Sequence, residues 1–211
     1  MNFVYFFVAI LALFFSIDII NADNDMVPIP GGKFLFGEDK KKIEVGEFYI
    51  DKYEVTNAQY KKFKPEHTFP DGKEDFPVTE ISYFEAEEYC KEAGKRIPTS
   101  AEWEKAARGA DGRLYPWGDK FDTKKTNSIE AAKDAPVKVG SFEKGKSPYG
   151  VYDMSGNVWE WVDAWDSKKQ YRILRGGSYF DGEDLNKTIS TLMSIPDDIH
   201  GYIGFRCVKD K

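Results

Sequence analysis

The sequence predicts an α+β fold in which irregular loops outweigh regular structure. Three observations predict it. Glycine and proline, 18 and 10 residues of the 211, interrupt nearly every apolar run. Helix-start signals occur in only three places, and the strand-like runs are short. All five tryptophans lie between Trp103 and Trp165, and rings that each bury on the order of 150 to 250 Å² can hold a loop-rich chain together.

The chain opens on an apolar run from Phe3 to Ile20, broken only by Ser16 and Asp18. This reads as an export signal over residues 1–22, with cleavage after Ala22; the alternative is an uncleaved membrane anchor. A lipoprotein is not expected, because no cysteine directly follows the run. Residues 23–211 are then one domain, long enough for a proper core. Strands are expected at Phe34–Phe36, Phe48–Ile50, Val158–Val162, Arg172–Arg175 and Ile203–Val208.

The first helix follows Thr56, with Tyr60 and Phe63 facing inward. The second is set by Ser82 and Glu85, a capping box in which each side chain accepts the other residue's backbone N–H. Tyr83, Ala86, Cys90 and Ala93 follow at helical spacing and Gly94 ends it, so Cys90 is on a buried face. Thr99 and Glu102 form a second such box, ahead of Trp103, Ala106 and Ala107, and Gly109 stops that helix.

A net charge of −6 and a pI near 5.1 leave no basic footprint for nucleic acid. Lys40, Lys41 and Lys42 read as a solvated turn. In an exported chain, Cys90 and Cys207 are most simply a disulfide, worth on the order of 4 to 5 kcal/mol by loop closure; two buried free thiols are the alternative. No Ser-His-Asp arrangement, phosphate-cradling glycine loop or zinc spacing is present. His200, beside Asp197 and Asp198, reads as part of a solvated loop. The cluster Asp181, Glu183 and Asp184 reads the same way, with a cation site or an acid–base pair as the alternative. Asn186-Lys187-Thr188 fits the N-glycosylation sequon.

Seven ordered segments, Met26–Phe34, Tyr53–Tyr60, Gly94–Glu104, Tyr115–Gly118, Gly150–Trp161, Arg175–Tyr179 and Gly204–Cys207, resemble the sulfatase-modifying-factor family, which includes formylglycine-generating enzyme. They carry the family's G-K-R-x-P-T, G-N-V-W-E-W, R-G-G-S-Y and G-F-R-C motifs in the family's order. The resemblance implies a variant of the C-type-lectin-like fold with little regular secondary structure. It also implies a disulfide from the helix before G-K-R-x-P-T to the terminal G-F-R-C, here Cys90 to Cys207.

Active members of the family hold copper with two cysteines placed shortly after R-G-G-S-Y. Asp181 and Asn186 stand at those positions here, and neither offers the sulfur that soft Cu(I) selects. Copper and cysteine-dependent oxidase activity are therefore not expected. A cleft framed by Ser178, Trp159, Arg175 and Asp181 is expected to persist, with a polar turn as the plain reading of Ser178. By the same resemblance Asn157 and Glu160 are calcium ligands, the alternative being Glu160 paired with a basic neighbour. Asn127 and Ser128 match the start of a second calcium site whose acidic loop is missing. His67 and His200 are too few for the three-histidine iron site of the related hercynine oxygenases.

The function expected is an exported family member that binds a protein partner or a small-molecule ligand. It would bind no nucleic acid, and would meet a membrane only if residues 1–22 are retained. The alternative is an enzyme, either with non-cysteine chemistry, as in the pyoverdine-maturation relatives, or as a formylglycine-generating oxidase.

Overall fold

The computed structural model describes residues 26–211; the expected export signal lies outside the described residues. Strand β1 (Met26–Ile29) pairs antiparallel with β4 (Phe48–Asp51), aligning Val27 with Ile50 and Ile29 with Phe48. Between them β2 (Gly32–Phe36) and β3 (Lys41–Val45) form a hairpin. Lys40 closes its turn and Lys41 and Lys42 open β3, so the expected lysine turn continues into a strand.

Three helices follow: α1 (Asn57–Phe63), α2 (Tyr83–Glu92) and α3 (Ser100–Arg108). Each begins at a hydroxyl side chain, Thr56, Ser82 or Thr99, in a complete capping box with Gln59, Glu85 or Glu102. Gly94 and Gly109 follow α2 and α3 at φ of 67° and 72°, a left-handed conformation that glycine adopts without a Cβ clash.

The second half is a four-stranded sheet in the order β7 (Thr191–Ser194), β6 (Arg172–Arg175), β5 (Trp159–Trp165) and β8 (Ile203–Gly204). The expected strand over Ile203–Val208 is in fact two. Its first part runs parallel to β5, and the chain then crosses to β9 (Val208–Asp210), which pairs antiparallel with β4. In the crossing, the carbonyls of Phe205 and Cys207 accept from Val55 N and Asp51 N, each at 2.9 Å, so no single ladder spans the six residues.

Two apolar clusters flank this crossing. One gathers Tyr60, Tyr83, Tyr89, Trp159, Trp161 and Phe205 around the Cys90–Cys207 disulfide. The other packs Trp103, Ala106 and Ala107 of α3 against Phe48, Ile50 and Val162. Full burial of a large apolar side chain contributes about 1.5 to 3 kcal/mol, so these rings stand in for extended helices. Among the described residues no helix is long and apolar enough to cross a membrane.

Buried charge ties the pieces together. Arg206 Nε and Nη2 donate to the two oxygens of Glu160 at 2.7 and 2.8 Å, and Trp103 Nε1 donates to the same carboxylate at 2.8 Å. The guanidinium also reaches the carbonyls of Asp51, Lys52 and Tyr152. Burial alone would lower the Arg206 pKa; the Glu160 charge and hydrogen bonds outweigh it and hold the guanidinium above its ordinary value. Glu104 sits likewise between Arg108 at 2.7 Å and Arg175 at 2.5 Å.

Removing one member of a buried pair leaves an uncompensated charge. Arg206→Met is expected to cost about 3 to 5 kcal/mol in urea unfolding, and a loss below about 1 kcal/mol would contradict the role given to Arg206. The disulfide closes a separation of 117 residues. Replacing both cysteines by serine is expected to cost about 2 to 5 kcal/mol in the same measurement.

Candidate functional site

After β6 the chain turns through Gly176 and Gly177, at φ of 105° and 75°, into the segment that carries Ser178 and Asp181. A side chain at Gly177 would lie 2.5 Å from Asn186 Oδ1 and 2.7 Å from the carbonyl of Leu185, so the close return of the loop requires glycine. Asp181 Oδ2 accepts from Trp159 Nε1 at 2.7 Å and from Ser178 Oγ at 2.5 Å. Asn186 Nδ2 donates to the carbonyls of Asp181 and Gly182 at 2.8 and 2.9 Å, and Ser155 Oγ donates to the Asn186 carbonyl.

Ser178, Trp159 and Asp181 are thus brought together, and Arg175 is not. Arg175 is the register partner of Glu160, and cross-strand partners share a face, so its side chain lies opposite that of Trp159. It is bound to Glu104, Ser100 and the carbonyl of Ile189. Asn186 is wholly buried, with both amide hydrogens donated inside the fold. It neither lines the surface nor presents its sequon to a glycosylating enzyme in the folded state.

The surface around Asp181 is apolar and open. Ile129, joined to the loop by its N–H to the Asp181 carbonyl, is 50% exposed, Phe180 67% and Leu185 45%. Of the remaining acids, Glu183 accepts from Tyr115 Oη and Asp184 pairs with Lys187 at the rim. Among the described residues there is no free cysteine, because Cys90 and Cys207 are joined.

The expected calcium ligands do not fit as a pair. Glu160 is engaged by Arg206 and Trp103, which is the basic-neighbour reading. Asn157 Oδ1 accepts from Val137 N at 2.9 Å and from Asn127 Nδ2 at 3.2 Å. Asn127 adds an Oδ1 that is buried without a partner. Beside them lie two acids the sequence reading passed over, Glu54 and Asp153.

Glu54 Oε1 accepts from Asn157 Nδ2, no N–H reaches its buried Oε2, and its carboxyl lies within hydrogen-bond reach of the Asp153 carboxyl. Burial first, and then the neighbouring Asp153 charge, push the Glu54 carboxyl well above its usual range; burial likewise raises Asp153. Each stands in an apolar sequence context, Tyr53-Glu54-Val55 and Tyr152-Asp153-Met154, and that isolation was the available signal.

The two histidines lie in separate environments. His67 Nε2 meets Asn57 Oδ1 at 3.1 Å, and burial lowers its pKa. His200 is more ordered than a solvated loop implies, reaching Asp198 at 3.1 Å and stacking on Tyr202.

Residues 18–211 match the model of the sulfatase-modifying factor enzyme 1-like domain. An uncharacterized protein of Bacillus subtilis, YfmG, is 30% identical over 89% of this chain, which spans 55% of that protein's length. The inactive C-alpha-formylglycine-generating enzyme 2 of Bos taurus is 29% identical over 87% of each chain. In structure, Treponema denticola variable protein 1 superposes with a TM-score of 0.80 at 17% identity, covering 88% of this chain and 95% of that one; this bears on the fold alone. The family match extends over almost the whole chain and the architecture agrees with it: the chain belongs to the sulfatase-modifying-factor family, in its variant of the C-type-lectin-like fold.

Proposed function

We propose that this chain is an exported, non-oxidase member of its family whose surface around Asp181 binds a protein or small-molecule ligand. One observation carries the reading: the only two cysteines of the sequence are joined to each other inside the core. No thiolate is left to hold copper beside Ser178, and a carboxylate with an amide does not replace two sulfurs. Asp181 holds Trp159 and Ser178 in place, and Ile129, Phe180 and Leu185 expose large apolar side chains on or beside its loop, as interaction surfaces do. Similarity to a relative named as inactive agrees with this. Export is supported by the disulfide, which persists in oxidising compartments, and by the apolar run Phe3 to Ile20.

The test supplies the purified protein with copper, oxygen and a sulfatase-motif peptide carrying its target cysteine, and follows the peptide by mass spectrometry beside an active family enzyme. An unchanged peptide is expected. Conversion to formylglycine would overturn the non-oxidase reading.

We further propose that the donors suited to calcium are Glu54 and Asp153 rather than Asn157 and Glu160. Hard oxygen ligands match that ion, and no N–H donor neutralises Glu54 Oε2, which faces the Asp153 carboxyl. Among the described residues no three His, Cys, Asp or Glu side chains converge on one metal position, so the ion would need main-chain oxygens or water to complete its shell. Because both carboxyls are raised, the contribution of these two groups to the stability of the metal-free protein is fully present below their ordinary pKa and is lost as pH rises through the raised values. Calcium at neutral pH is expected to restore it, raising Tm of the wild type and not of Glu54→Gln. Equal shifts in the two proteins would exclude this site.

A further inference from the structure

A strand at the edge of a sheet turns N–H and C=O groups outward, and proteins keep such edges from pairing by means of charge, proline or brevity. Among the described residues, every strand with an open edge has one of these except β7. Pro28 removes a donor from β1, Lys33 is on β2, Lys41, Lys42 and Glu44 are on β3, Lys209 and Asp210 are on β9, and β8 is two residues long. Strand β7 reads Thr-Leu-Met-Ser and is paired on one side alone, by β6.

Its other side is open. Among the described residues, no main-chain hydrogen bond reaches Thr191–Ser194 from any segment but β6. Met193 is 58% exposed and Ile195, just beyond the strand, 51%. The nine residues from Thr188 to Pro196 carry no charge, in a chain of which 31% is charged. Register partners share a face, so Leu192 continues the buried row of Trp161 and Leu174 out to the edge, where the row ends 37% exposed. Met193 lies beside Ile173 on the opposite face.

The strand that fits this edge is a second β7. When two such strands pair antiparallel about a twofold axis, each sheet keeps the same face up, so a residue meets one of its own parity. With the axis at Leu192, that residue meets its counterpart and Met193 meets Thr191 of the second copy; with the axis at Met193, methionine meets methionine and Leu192 meets Ser194. Neither register sets a charge against a like charge or against an apolar side chain, and both extend the apolar row across the junction.

We propose that two copies of this chain associate edge to edge through β7, antiparallel about a twofold axis, to form one sheet across the dimer. None of Ile129, Phe180 and Leu185 belongs to this edge, so the dimer does not rest on the ligand surface around Asp181.

Sedimentation velocity of the purified protein over a concentration series tests it. One short strand from each copy is a contact at the small end of specific interfaces, so a monomer–dimer equilibrium with a dissociation constant on the order of micromolar is expected. Met193→Lys puts a charge on the exposed edge and is expected to weaken the dimer about tenfold or more, while Met193→Leu retains it. Amide hydrogen exchange on the wild type needs no variant: β7 amides directed away from β6 are expected to gain protection as the dimer forms. The proposal is overturned by a monomer at every concentration, by assembly beyond a dimer, by Met193→Lys leaving dissociation within about twofold, or by β7 amides whose protection does not change with concentration.

Discussion

The ion pair between Arg206 and Glu160 is the constraint on which the rest of the structure depends. Its carboxylate belongs to β5 of the four-stranded sheet, and its guanidinium to the segment that crosses to the sheet of β1, β4 and β9. The same guanidinium donates to the carbonyl of Asp51 at the end of β4 and to those of Lys52 and Tyr152, which lie outside any helix or strand. In a fold with short elements, buried carbonyls must find donors elsewhere, and arginine with five N–H groups is the side chain suited to several at once. Trp103 completes the arrangement by donating to Glu160, which fixes α3 to the crossing.

The disulfide acts on the next residue along. Cys207 ties the crossing to α2, while its N–H donates to Asp51, itself paired with Lys95 at the end of that helix. One covalent and one ionic link therefore act on neighbouring residues of a single segment. This placement also bears on chemistry, because a sulfur committed to the core cannot be recruited to the Asp181 surface without releasing the crossing.

Much of this was legible in the sequence where local physics decides the outcome. A hydroxyl three residues before a glutamate, ahead of apolar residues at helical spacing, marks the starts of α2 and α3, and glycine marks their ends. What the side chains do was less legible. Arg175 is expected at the cleft, yet strand parity sends it to the opposite face, with Glu104. Glu160 reads as a metal ligand until Arg206, 46 residues away, is seen to saturate it. Strand β7, Thr-Leu-Met-Ser, is largely exposed and lacks period-two alternation, and so carried no strand signal.

Asn157 shows how a motif residue can be central without being a ligand. Its φ of 68° lies in the left-handed region that asparagine tolerates better than most residues. Its main chain bonds Asn127 on one side and Tyr179 on the other, and its amide joins Val137 to Glu54. The base of the Asp181 loop, the buried Glu54 and the segment at Val137 thus meet at one residue. A larger or non-amide residue there would strain the backbone and strip the side-chain hydrogen bonds to Val137 and Glu54. The surface that this family scaffold presents is therefore set from beneath by polar groups that never reach it, which lets the exposed residues around Asp181 vary while the frame stays fixed.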